Sequence, residues 1–284
     1  MKRCLKKILK YPVVALLLAA VLVIVFLPDI GSAILLHPPR KPFKAAPPAS
    51  CVNVTFDVDG VRLEGWSGKF QGKARGTVIY LHGMADNRAA GAGICERFMK
   101  QGFDVIAYDS RAHGASGGDA CTYGFHEKRD LLSIVAKVEH PPVVLLGCSM
   151  GAAVALQAAG VSDKGIATVI AAECFSDLES VSRDRVPSIL MPFHKRAIEK
   201  AEREGNFKSS EVSPMASAAK INIPVLIIHG EKDKETPPAH SQRVYQNLRG
   251  TKNLILVPQA GHGQSLGGTT WSEIETWINL HVPR

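Results

Sequence analysis

The chain has 284 residues, 34 Lys and Arg against 26 Asp and Glu, a formal net charge of +8, and 46% hydrophobic and 6% aromatic residues. That length supports a large buried core, and the balanced composition excludes a disordered, collagen-like or small disulfide-stapled protein. The surplus charge is concentrated: residues 1–44 hold eight basic side chains and one acid, Asp29, whereas residues 45–284 hold 26 basic and 25 acidic ones. A nucleic-acid partner would require clustered Lys and Arg on the body of the chain, and the near-neutral body does not offer them.

Residues 1–10 are a basic tail. From Tyr11 to Pro28 no residue is charged and Val, Leu, Ile and Ala dominate; after Asp29 a second apolar patch runs from Ile30 to Leu36. Lipid forces backbone polar groups to bond within their own segment, so such a run is expected to be helical and just long enough to cross a hydrocarbon core. We therefore expect a transmembrane anchor over residues 11–36. A cleaved signal peptide is the competing reading, but the apolar stretch exceeds a usual h-region and no clear small-x-small site follows it. Five basic residues precede the span and three follow it, which favours a cytoplasmic N-terminus with the rest of the chain on the outer side. Pro38, Pro39, Pro42, Pro47 and Pro48 then mark a stiff linker over residues 37–50.

Residues 51–284 alternate short apolar runs with helix-like stretches, the pattern of a mostly parallel sheet wrapped by helices. Cys51 to Trp66 alternates around Asp59-Gly60 and predicts an opening antiparallel hairpin. Five runs of the fully buried kind follow (Thr77–Leu81, Asp104–Tyr108, Val143–Leu146, Thr168–Ala172 and Pro224–His229), with Asn253–Val257 as a sixth. Helices are expected over Ala89–Gln101, Phe125–Glu139, Met150–Ala159, Ala239–Leu248 and Thr270–His281. Residues 177–220 differ, being charged, Ser-rich and irregular, and are expected to form a lid-like insertion.

The six cysteines show no CxxC pair and no Cys/His metal spacing, so neither a disulfide framework nor a metal site is expected, and nothing calls for an organic cofactor. Asn53-Val54-Thr55 matches a glycosylation sequon.

Gly147-Cys148-Ser149-Met150-Gly151 follows directly on an expected strand and precedes an Ala-rich helix. A serine hydroxyl is a weak nucleophile and must be held exposed at a sharp turn, beside a base and backbone donors; flanking glycines permit that turn. The base must come from ten histidines, and position selects among them. His262, in Gln259-Ala260-Gly261-His262-Gly263, sits after the last expected strand, and Asp233 sits after the one before it. Both loops fall at the carboxyl edge of a parallel sheet, the edge that carries Ser149. Glu231, Glu235 and Asp177 are the alternative carboxylates. His82, His113 and His229 are expected to be structural, and His126, His140, His194, His240 and His281 to be surface or turn residues.

In these features the chain resembles the α/β-hydrolases, from about Val52 to the C-terminus. His82-Gly83-Met84 resembles the oxyanion loop of that superfamily, and Asp109-Ser110-Arg111-Ala112-His113-Gly114-Ala115-Ser116 its D-x-R-G-H-G-x-S turn, with Ala112 where Gly is usual. HGM, GCSMG and a short lid together resemble the serine-aminopeptidase and monoacylglycerol-lipase-like branch. The resemblance implies a sheet of about eight strands with helices on both faces. It also implies catalysis by Ser149, His262 and Asp233, with the backbone N–H groups of Met84 and Met150 as an oxyanion hole. The implied substrate is a small or lipid-like ester, thioester or amide, cleaved without cofactor or metal. Two alternatives stay open: a serine peptidase, and a non-catalytic binding protein on the same fold.

Overall fold

The structure, a computed structural model, describes residues 23–41 and 45–282. Asp59 and Gly60 both take positive φ (48° and 77°), closing a two-residue hairpin between β1 (Cys51–Val58) and β2 (Val61–Gly68). Then follow β3 (Thr77–Leu81), α2 (Ala92–Lys100), β4 (Asp104–Tyr108), α3 (Glu127–Val135), β5 (Val143–Cys148), α4 (Met150–Ala159) and β6 (Ile166–Ala172). The chain closes with α5 (Leu178–Arg185), α6 (Met191–Gly205), α7 (Pro214–Ala218), β7 (Val225–Gly230), α8 (Ala239–Asn247), β8 (Lys252–Val257) and α9 (Thr270–His281).

One eight-stranded sheet results, in the order β1-β2-β4-β3-β5-β6-β7-β8. The β1–β2 and β2–β4 pairs are antiparallel and the remaining pairs parallel. Because successive side chains point to opposite faces, β3 feeds two cores at once: Ile79 and Leu81 pack with Leu131, Leu145 and Val154, while Val78 and Tyr80 pack with Phe98, Leu146 and Trp277. All ten residues of α4 are buried, which its small, apolar composition permits. The interval expected to be irregular, 177–220, holds α5, α6 and α7. The interleaved charges of Arg183–Arg203 fit a solvated amphipathic helix, and α6 is one: Ala197, Ile198 and Ala201 are buried while Lys195, Arg196, Glu199, Arg203 and Glu204 are exposed.

Residues 23–36 form a helix, α1. Here the expected anchor over 11–36 is corrected: its later part packs on the domain rather than in lipid. The small residues Gly31 and Ser32 let α1 approach α6, Ser32 Oγ donates to Glu204 Oε2 (2.5 Å), Lys200 Nζ pairs with Asp29 (2.8 Å), and Leu36 is buried in a protein cluster. Among the described residues no helix is long and apolar enough to cross a membrane. Residues 1–22, most of the expected span, lie outside the described residues, as do 42–44 of the linker. Before that gap, Arg40 donates to the carbonyls of Ser116 (2.5 Å) and Gly118 (2.8 Å).

The loop after β4 is organised by one buried carboxylate. Asp109, fully buried, accepts from the backbone N–H groups of Arg88 (2.7 Å) and Ala115 (2.8 Å) and pairs with the buried Arg88 guanidinium (2.6 Å). Removing one member of a buried pair strands the other charge. Asp109→Ala is therefore expected to cost about 3–5 kcal/mol and to lower the thermal midpoint by roughly 10 °C, measured by calorimetry.

Candidate active site

Ser149 sits where β5 turns into α4, with φ 51° and ψ −113°, a backbone that L residues occupy only under strain. Two close approaches impose it. A Cβ on Gly151 would run into the Leu81 carbonyl and one on Gly147 into the Gly151 backbone, so only glycine lets the strand, the turn and the helix pack together. The Ser149 N–H donates to the Ala172 carbonyl of β6 (2.8 Å), which ties the turn to the sheet.

The loops after β7 and β8 bring Asp233 and His262 to the same edge. Asp233 Oδ1 accepts from the N–H groups of Glu235 and Thr236 (both 2.9 Å). Its Oδ2 accepts from His262 Nδ1–H at 2.6 Å, which leaves His262 Nε2 unprotonated and 3.0 Å from the Ser149 hydroxyl, in position to accept from it. Burial disfavours the charged forms of both groups, yet the pair overrides it. Hydrogen bonds from His229, His262 and the Thr236 N–H hold Asp233 well below the usual carboxylate range, and the Asp233 carboxylate raises His262 above the ordinary histidine value.

Four other histidines, His82, His113, His229 and His240, have structural duties. His82 Nε2 accepts from the Ser110 N–H (2.9 Å), so its proton is on Nδ1, which donates to the Gly83 carbonyl (2.7 Å); burial lowers its pKa to about 4. His113 donates from Nδ1 to the Arg111 carbonyl (2.9 Å). His229 is buried between Ser241 Oγ (2.6 Å) and the Thr236 carbonyl (2.7 Å). His240, expected at the surface, is instead fully buried, linking Ser176 on one side to Asp184 of α5 on the other (both 2.9 Å). Of the alternative carboxylates, Glu235 lines the cavity at Ser149, and Asp177 caps α5.

Two residues at this edge escaped the sequence reading. Glu173, fully buried with φ 57°, follows β6 and accepts from three consecutive N–H groups of the loop after His262: Gly263 (2.5 Å), Gln264 (3.1 Å) and Ser265 (3.0 Å). The one available signal was an acid directly after the apolar strand Ile166–Ala172, a place where a carboxylate persists only if it is bonded. Arg185, at the end of α5, donates to the Glu235 carbonyl (3.1 Å) and Thr236 Oγ1 (2.9 Å), tying the 177–220 segment to the Asp233 loop.

A cavity of about 250 Å³ opens at Ser149, walled by Tyr80, Gly83, Met84, Asp86, Arg185 and His262. Met84 lies in the turn after β3, and Met150 is the first residue of α4, its sulfur buried 3.4 Å from Cys121 Sγ. Ligand atoms of Glu173, Asp233 and His262 lie within 4.8 Å of one another, but both carboxylates are committed to loop N–H groups and His262 Nδ1 to Asp233. The cluster is thus built to hold the histidine loop.

Comparison with known proteins agrees with this architecture. The family model described as "Serine aminopeptidase, S33" matches residues 72–213, half of the chain, and one described as "TAP-like protein" matches residues 204–273. An uncharacterised Bacillus subtilis protein, YqkD, is 33% identical over 202 residues, covering 66% of this chain and 65% of YqkD, just under two thirds of its length. A monoacylglycerol lipase of Mycolicibacterium smegmatis is 26% identical over 255 residues, covering 73% of this chain and 89% of the lipase. Among solved structures, the Pyrococcus furiosus esterase Pf2001 superimposes with a TM-score of 0.70 at 24% identity, over 87% of this chain and 98% of the esterase.

The Glu173 clamp has a direct readout. Hydrogen bonds to a charged acceptor contribute about 1.5–3 kcal/mol each. Glu173→Ala is therefore expected to speed amide exchange at Gly263, Gln264 and Ser265 by at least tenfold, measured by hydrogen–deuterium exchange; unchanged protection there would remove its positioning role.

Proposed function

The chain belongs to the serine aminopeptidase, S33 family of the α/β-hydrolase superfamily, and from that premise we propose that it is a serine hydrolase cleaving carboxylic esters through an acyl-enzyme. The single observation that carries this reading is the unbroken relay from the Ser149 hydroxyl through His262 to Asp233, at the mouth of a cavity. Ser149 Oγ attacks the ester carbonyl carbon as its proton passes to His262 Nε2; the imidazolium then gives that proton to the departing alkoxide. Water, deprotonated by the same nitrogen, attacks the acyl-enzyme and releases the acid, and Ser149 recovers its proton. Asp233 stays ionised throughout and stabilises the imidazolium.

The oxyanion of each tetrahedral intermediate falls to the backbone N–H groups of Met84 and Met150. Met150 opens α4, where an N–H has no partner within the helix and the helix dipole is positive. Neither role involves a methionine side chain. Ester substrates are favoured by the monoacylglycerol lipase among the relatives. A second reading, cleavage of aminoacyl amides, draws on one observation: Asp86 and Glu235 line the cavity with Ser149, where carboxylates suit an α-ammonium group.

The reading also puts the enzyme at a membrane, with its N-terminus cytoplasmic and the domain on the outer side. Its support is the basic tail and the uncharged run from Tyr11 to Pro28. The full chain is expected to stay with membranes after alkaline carbonate extraction; complete release would remove this part of the proposal.

A fluorophosphonate probe is expected to label the wild type and not Ser149→Ala, and equal labelling of the two would overturn the assignment of the nucleophile. The base must be unprotonated to act, and Asp233 raises its pKa, so activity is lost as pH falls through a midpoint above the ordinary value of 6.5. Asp233→Asn is expected to move that limb downward and to lower kcat by about 10³–10⁴. Both are read from pH profiles of p-nitrophenyl ester hydrolysis, with aminoacyl amides run in parallel to separate the two readings.

A further inference from the structure

A second cavity, of about 360 Å³, lies between α1 and the arm formed by α5 and α6. Ile30, Ile34 and Leu35 of α1 form one wall, and Val186, Leu190 and Phe193 form the other. Met84 and Arg185 line both this cavity and the one at Ser149, so the two are neighbours across a shared boundary. Neither family match reaches the α1 wall, since the matched ranges begin at residue 72.

The lining indicates the chemistry of the occupant. Its polar side chains are engaged with partners: Ser182 and His194 bond each other (2.9 Å), and Arg185 Nε and Nη2 are held by Glu235 and Thr236. A polar ligand would find few open donors or acceptors, whereas a hydrocarbon loses nothing on entry. Two of the lining residues of α1 are also exposed apolar side chains, with Ile34 at 70% and Ile30 at 49% of their maximal exposure. The α1 wall is fixed in place: the Leu35 carbonyl accepts from the Tyr123 hydroxyl (3.0 Å) and the Leu36 carbonyl from the Cys121 N–H (2.8 Å).

We propose that this cavity holds the acyl chain of a single-chain amphiphile whose ester carbonyl lies at Ser149, so that the leader helix is itself a wall of the substrate site. The proposal rests on the serine-hydrolase reading above and adds to it the substrate class and its selecting residues. The substrate is an ester of a medium-length fatty acid; its headgroup leaves from the polar cavity while its chain lies along α1.

The test uses the full chain in detergent micelles and p-nitrophenyl esters from acetate to dodecanoate. Burial of each methylene contributes about 0.8 kcal/mol, so kcat/KM is expected to rise roughly three- to fourfold per added carbon until the cavity is full. Ile34→Trp and Val186→Trp, which fill the cavity from opposite walls, are expected to lower the decanoate-to-acetate ratio of kcat/KM at least tenfold. Ile189→Ser, on the same arm but outside the lining, keeps the wild-type ratio. A flat chain-length profile, or Trp variants with the wild-type ratio, overturns the proposal.

Calorimetric binding of decanoate to Ser149→Ala separates the two levels. Binding that Ile34→Trp abolishes supports the cavity even if no ester is turned over, an outcome that would count against the hydrolase reading alone. Absence of binding overturns the cavity assignment whatever the esterase assay gives.

Discussion

Everything at this site depends on the backbone strain at Ser149. A residue with φ 51° and ψ −113° relaxes unless its surroundings over-determine it, and here three contacts do so: Gly151 against the Leu81 carbonyl, Gly147 against Gly151, and the Ser149 N–H on the Ala172 carbonyl. Those contacts come from β3, β5, β6 and α4, the centre of the sheet and its most buried helix. The hydroxyl at the cavity is thus held by the packing of the whole core. A cost of order 1–3 kcal/mol is sustainable only because so much apolar surface is buried around it.

Two carboxylates serve the same histidine by different means. Asp233 acts on the ring: its Oδ2 fixes the tautomer, and its other oxygen is anchored by two N–H groups, so the carboxylate cannot swing away. Glu173 acts on the loop backbone, where three consecutive N–H groups converge on it. Asp233 thus sets the ring and Glu173 chiefly the loop, although Glu173 Oε2 also lies 3.8 Å from His262 Nδ1 and adds its charge there. The loop is held from the end of β6 and the ring from the loop after β7.

Those features that follow from periodicity or from local turn chemistry were legible in the sequence. Thr77–Leu81 and Asp104–Tyr108 read as strands with the boundaries they have, because central parallel strands are apolar on both faces; Asp59-Gly60 read as a hairpin because both positions need positive φ. Ser149, Asp233 and His262 stood out in the sequence because each lies just past a strand end, and the sheet brings strand ends together. Glu173 sits at such an end too, yet its partners lie some 90 positions downstream, and nothing local announces a three-fold acceptor. His240 was misjudged for a related reason: its neighbours are polar, and its burial arises from the docking of α5 onto α8.

The apolar run from Ile30 to Leu36 shows why hydropathy alone does not identify the surroundings of a helix. Hydropathy treats Ile30 to Leu36 as continuous with the run before it, because a transfer scale does not distinguish lipid from a protein groove of equal apolarity. What separates them is the pattern of small and polar residues. Asp29, Gly31 and Ser32 meet α6 through an ion pair, a close approach and a hydrogen bond, contacts that lipid tails cannot supply. The same helix leaves Ile30 and Ile34 facing a cavity, so one face is specified by α6 and another by whatever fills that space. A segment that sequence alone would assign to the bilayer is in this way built into the wall of that cavity.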